Sequence, residues 1–129
     1  MKRGDIVLVS FPGDFGKPRP ALVVQSDLVP AKYRTVTLLP ITSDIQSAPE
    51  VRITPEPTAT NGLRKVSQAM VDKAMTHLRS RLGDVIGALD DQNITRVNRA
   101  CALAGLSRMR SLRRNRGWRL ELTHLSVGV

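Results

Sequence analysis

The chain has 129 residues, 41% of them apolar, one cysteine and a formal net charge of +9. This length suits one domain with a tail. A single cysteine excludes an intramolecular disulfide and a cysteine-based zinc site, and no run approaches the roughly 18 apolar residues of a membrane helix. The opening "MKRGDIVLVSF" carries two positive charges, but its apolar stretch is short and Pro12 ends it. It is no signal peptide, so the expected location is cytoplasmic.

In chain order, "DIVLVSF" (5–11) is β-rich and mostly apolar, a buried first strand. "PGDFGKP" (12–18) holds two glycines and two prolines and reads as an exposed loop. "RPALVVQSD" (19–27) is a second strand, and "LVPAKYR" (28–34) is irregular. "TVTLLPIT" (35–42) is a third strand, with Pro40 near its end where a missing N–H is tolerated. "SDIQSAPE" (43–50) is a loop, "VRIT" (51–54) a short strand, "PEPTATNG" (55–62) a loop, and "LRKVSQAMV" (63–71) a further strand. The stretch 72–89 is ambiguous, because Gly83 and Gly87 argue against one long helix.

Residues 90–105 carry the clearest helix. Asp90 or Asp91 serves as N-cap, and Gly105 suits the C′ position. Ile94, Val97, Cys101 and Ala104 share one face, which makes Cys101 a small core residue. The whole is mainly β with a C-terminal helix (α+β), a curved antiparallel sheet or small barrel.

Positive charge is unevenly spread. Residues 1–105 hold 14 Lys+Arg and 10 Asp+Glu, whereas 106–129 add six arginines and one glutamate. The boundary is therefore a domain at 1–105 and a basic tail at 106–129. That tail reads as a solvated segment or as a nucleic-acid-binding arm. The overall charge calls for an anionic partner, nucleic acid or an acidic polypeptide.

"GDIVLVSFPGDFGKPRPALVVQSD", then "VTLLPITS", then "GLRKVSQAMVDK" together resemble the MazF/PemK family of toxin endoribonucleases. The resemblance runs through about Gly105. It implies an SH3-like barrel with a C-terminal helix and a homodimer. It implies sequence-preferring cleavage of single-stranded RNA, with no cofactor, and neutralisation by a cognate antitoxin bearing an acidic flexible segment. Operator DNA would be reached only indirectly, through that antitoxin. Residue by residue, Arg19 matches the family's active-site arginine, Thr42 its active-site threonine and Ser43 the neighbouring hydroxyl. Lys17 falls in the loop flanking the RNA groove, Gln68 is the family's late glutamine, and Lys17, Ser43, Lys65, Ser67, Gln68 and Phe15 are the residues expected to bind RNA. Ser67 stands where some members carry an acidic residue, which weakens any mechanism needing a carboxylate there. Asp72 reads as structural.

The chemistry is consistent with these residues. RNA can be cut without metal because its 2′-OH is an internal nucleophile. The protein must stabilise charge on the pentacoordinate phosphorus and help the protons move. A guanidinium contacts two phosphate oxygens at once, and Pro18 and Pro20 hold the Arg19 backbone extended. Thr42 can donate its hydroxyl to a phosphate oxygen or orient the 2′-OH; its ordinary alternative is a local backbone hydrogen bond. Arginine is a poor base; water and substrate assistance are candidates for that step, and the sequence does not decide the base. Lys17, Arg19 and Lys65 are candidates for a positive groove lining. Phe15, at the loop tip, is the best candidate for base stacking, ahead of Phe11 and Tyr33. His77 and His124 have no matching Asp/Glu cluster and form no convincing metal site, and "GDFG" is no P-loop. Two other readings use the same fold: a protein-binding inhibitor resembling the CcdB toxins that poison gyrase, or a non-catalytic RNA-binding module. The Arg19/Thr42 pair favours cleavage over both.

Overall fold

The computed structural model describes residues 1–11, 13 and 16–105. The Phe15 expectation and both readings of the 106–129 tail lie outside the described residues. The elements are β1 (Asp5–Ser10), β2 (Pro18–Val23), β3 (Thr35–Thr42), β4 (Arg52–Ile53), β5 (Gln68–Met70), β6 (Met75–Leu78), β7 (Leu82–Ala88) and α1 (Asp91–Leu103). All strand pairs are antiparallel, in the order β4-β5-β3-β2-β1-β7, with β6 also pairing β3.

The central strands bury both faces, which is why they read as continuous apolar runs. Ile6, Leu22, Leu39 and Ile41 turn to one side, where Val97 and Ala100 of α1 cover them. Val7, Val9, Ala21, Val23, Val36 and Leu38 turn to the other and form a second core, edged by Phe11 and Leu82. The expected mainly β fold with a C-terminal helix is present. The expected barrel is not closed: among the described residues no ladder joins β7 to β4. The loop before β5 covers the β7 edge instead, with Ala88 N donating to Thr60 O at 2.9 Å. Gly87 permits this approach, because a Cβ there would lie 2.3 Å from the Asn61 carbonyl carbon.

The ambiguous stretch 72–89 resolves into β6 and β7 with 3-10 turns at 71–73 and 79–81. Hence His77 lies in β6, opposite Val36, rather than at a turn. Of the expected strand 63–71, only Gln68–Met70 is strand. Pro40 sits in mid-sheet, yet it costs no ladder bond on the β5/β6 side. The β6 ladder ends at Leu38 and the β5 ladder starts at Ile41. On α1, Asp90 is the N-cap and accepts from Asn93 N at 3.3 Å. Ala104 is exposed, and Ala100 is buried in its place.

The "RGD" of the opening strand has a structural explanation. Gly4 has φ +93° and lies under Ile94 of α1. Arg3 bridges the sheet to the helix, donating to Val24 O and, at 2.5 Å, to Asn98 Oδ1. Asp5 closes the turn by accepting from Lys2 N at 2.8 Å. Burial pushes the Cys101 thiol up, against the opposing pull of the Arg3 charge. It stays protonated and packs as a hydrophobe.

Candidate RNA-cleavage site

Strand register brings the two candidate catalytic residues to one end of the sheet. The β2–β3 ladder pairs Val23 with Leu38, Leu22 with Leu39 and Ala21 with Pro40. The ladder stops there, and Arg19 near the start of β2 and Thr42 at the end of β3 lie two residues beyond it, at the same end of the sheet. Alternation puts both on the face that carries Ala21, Val23 and Leu38, at the rim of the second core. On its other side Arg19 pairs with Val9 of β1. Residues 18–20 have only β1 as a ladder partner, so Pro18 and Pro20 cost no hydrogen bond towards β3. The prolines stiffen a strand end that would otherwise fray, and Arg19 is exposed there.

Thr42 ends β3 half-buried, and its Oγ1 accepts from Asp44 N at 3.1 Å. That bond uses a lone pair. Among the described residues the Thr42 O–H has no acceptor, so it remains available to donate. The local backbone bond and the functional donation therefore do not compete for the same part of the hydroxyl.

Behind Thr42 stands Gln68, its cross-strand partner in β5. Gln68 is 4% exposed. Its Oε1 accepts from Gln46 N at 3.0 Å, while its Nε2 donates to Gln46 O at 3.0 Å and to Thr54 Oγ1 at 3.1 Å. The amide thus grips the 43–50 loop by both backbone groups of one residue. Arg52, itself 6% exposed, donates to Gln68 Oε1 and to Asp44 O, each at 3.5 Å. Its charge is partnered by Asp72, 3.8 Å from Nε. Sequence reasoning missed Arg52, because a buried arginine in "VRIT" looks like any strand-alternating polar residue.

The other candidates divide by depth. Lys17, Ser43 and Lys65 are exposed, whereas Ser67 is buried and donates to Lys65 O at 2.9 Å. Lys17 precedes β2, Ser43 follows β3, and Lys65 and Ser67 precede β5; all flank the same sheet end as Arg19 and Thr42. Exposed Ile45 and Val66 give that end apolar surface. Phe11 lies half-buried with its ring 5.9 Å from that of His77, which ties His77 to the rim of the second core. Among the described residues no three His, Cys, Asp or Glu side chains group to hold a metal ion, and no helix is long and apolar enough to cross a membrane.

Residues 2–104 match the family described as PemK-like, MazF-like toxin of type II toxin-antitoxin system. The chain belongs to that family. It is 42% identical over 101 residues to "Probable endoribonuclease MazF" of Mycolicibacterium smegmatis, covering 78% of this chain and 92% of the relative. Its fold is similar to that of Mycobacterium tuberculosis toxin MazF-mt6, with TM-score 0.68 and 25% identity over 78% of this chain and 95% of that one. It is also similar to a mycobacterial endoribonuclease solved in complex with its cognate antitoxin, with TM-score 0.69 and 19% identity over 81% and 93% of the two chains. The MazE–MazF complex of Deinococcus radiodurans gives TM-score 0.64 and 20% identity over 79% and 91%. At such identities the last two carry the fold alone. By family and by its relative at 42% identity, this is a MazF-type toxin endoribonuclease of a toxin–antitoxin system.

Proposed function

We propose that this MazF-family toxin cuts single-stranded RNA at preferred sequences without a metal ion, working in the cytoplasm as a homodimer. The observation that supports the reading is the antiparallel β2–β3 pairing, which brings the start of β2, with Arg19, and the end of β3, with Thr42, to one end of the sheet. In the proposed step the RNA 2′-oxygen attacks the adjacent phosphorus as its proton leaves to water or to the substrate. The P–O5′ bond breaks, and the departing 5′-oxygen takes up a proton. The products are a 2′,3′-cyclic phosphate and a 5′-hydroxyl. Arg19 stabilises the charge that builds on the equatorial oxygens, and Thr42 donates its free O–H to one of them. Lys17, Ser43 and Lys65 line the RNA path. Gln68 and Ser67 contribute from beneath, by holding the backbone of the two loops that carry Thr42–Ser43 and Lys65.

The same positive groove accommodates the acidic segment of a cognate antitoxin, which competes with RNA. Any contact with operator DNA passes through that antitoxin. The test is incubation of single-stranded RNA with the protein in excess EDTA, with analysis of the product ends. Cyclic phosphate and 5′-hydroxyl ends support the reading; a 5′-phosphate product, or dependence on added metal, overturns it. Arg19→Ala should lose a hundredfold or so in rate with the fold intact, and Arg19→Lys should also be poor because it lacks the bidentate fork.

A further inference from the structure

At the far end of β3 from Thr42 lies a second feature that the cleavage site does not use. Tyr33 is 56% exposed and borders an open hollow of about 600 Å³ with Pro30 and Leu78. Lys32 and Arg34 line it, Arg79 approaches from the adjoining hollow to the Tyr33 carbonyl, and among the described residues none of the three has an ion-pair partner. Asp27, in that adjoining hollow with Arg79, already accepts from Arg3 N at 2.8 Å. The segment is rigidly held: Tyr33 N donates to Pro30 O at 2.9 Å, Arg79 N to Arg34 O at 2.8 Å, and Arg79 Nε to Tyr33 O at 2.8 Å.

We infer that Tyr33, with Lys32, Arg34 and Arg79, is an accessory platform for single-stranded RNA flanking the cut. An exposed aromatic ring offers a face on which any base can stack, and the surrounding cations match the phosphates on either side. Because the backbone under the ring is already pinned, little ordering entropy is lost on binding. Two cations beside the ring and a third at its backbone favour a polyanion with flat bases over an apolar peptide. From Thr35 to Thr42, β3 is about 23 Å long at about 3.3 Å per residue, and Tyr33 lies two residues beyond it. A stacked strand advances about 3.4 Å per nucleotide, so at least about seven nucleotides bridge the two places. The inference rests on the RNA-cleaving reading above.

The test uses the full chain with fluorescent oligouridylates of roughly 6 and 20 nucleotides, lengths chosen below and well above that span. Their 2′-positions are deoxy to block cleavage. The affinity advantage of the longer strand should fall about tenfold in Tyr33→Ala and persist in Tyr33→Phe, since stacking needs the ring and not its hydroxyl. Arg34→Ala should lower the salt slope of long-strand binding by about 0.7, the value for one lost phosphate contact on a single strand. Tyr33→Ala should keep an unchanged melting curve and lose cleavage of a long transcript only to the extent that it loses affinity for it. An undiminished length advantage in Tyr33→Ala overturns the platform while leaving the ribonuclease reading intact. So does a loss traced by light scattering to a changed oligomeric state. If the unaltered protein neither cuts nor binds RNA, both readings fall.

Discussion

Replacing Gln68 with leucine tests whether the glutamine acts from beneath the site or touches RNA itself. The substitution roughly keeps side-chain volume and removes the three hydrogen bonds of 3.0–3.1 Å to Gln46 and Thr54. It also deprives buried Arg52 of one acceptor. A neutral hydrogen bond contributes about 1 kcal/mol net. Gln46 is exposed, so its freed backbone groups recover water. The buried leucine returns part of the loss through apolar burial. The balance is a destabilisation of about 2 kcal/mol. For a domain of this size that lowers the melting temperature by roughly 8–16 °C. The 43–50 loop would also drift, and a shift of about 1 Å at Thr42 costs up to a hundredfold in rate. Circular dichroism melts, together with initial cleavage rates taken well below both transitions, provide the readout. A melting temperature within roughly 2 °C of the unaltered protein, combined with lost RNA binding, would refute the reasoning: Gln68 would then be a contact residue and not a clamp.

Further tests probe other parts of the molecule. Gly87→Ala should destabilise by about 2 kcal/mol in a urea titration, because its methyl would lie 2.3–2.5 Å from backbone atoms of Asn61 and Thr60; an unchanged midpoint would show that the covering loop is not packed as described. Asp90→Ala should cost about 1 kcal/mol at neutral pH through loss of the cap. The Asn93 side chain bonded to Asp90 holds its carboxyl below the usual value, so this stabilisation is present above the ordinary carboxylate range of about 4 and fades as pH falls through the lowered folded value. A difference between Asp90→Ala and the unaltered protein that grows on acidification would contradict that sign. Finally, removal of 106–129 should leave site-specific cleavage intact and weaken general RNA affinity most at low salt; a truncated protein that folds and dimerises but no longer cuts would place the tail in the active site.

The sequence alone determined those elements whose signals are local. β3 was legible to the residue, because an apolar β-branched run bounded by loops has no competing period. α1 was legible with a cap at Asp90 or Asp91, which the structure resolves to Asp90, and with its Gly105 stop, since capping depends on neighbours in the chain. The likeness that singled out Arg19 and Thr42 also lay in ordered short motifs. What lay beyond reach was everything that depends on distant segments meeting. β6 and β7 have mixed apolar and polar residues with two interior glycines, and only pairing with β3 and β1 makes them strands. Gly87 looked like a breaker, yet its purpose is the room it leaves for residues 60–61, more than twenty positions away. Gln68 and Ser67 read as RNA contacts by the resemblance alone, and nothing local in "VSQ" signals their burial. Their burial follows from the 43–50 loop folding over β5 and from Arg52 approaching behind it. Even Arg19 and Thr42, both named from sequence, acquire a common face only through the β2–β3 register, a relation between two strands that neither strand encodes by itself.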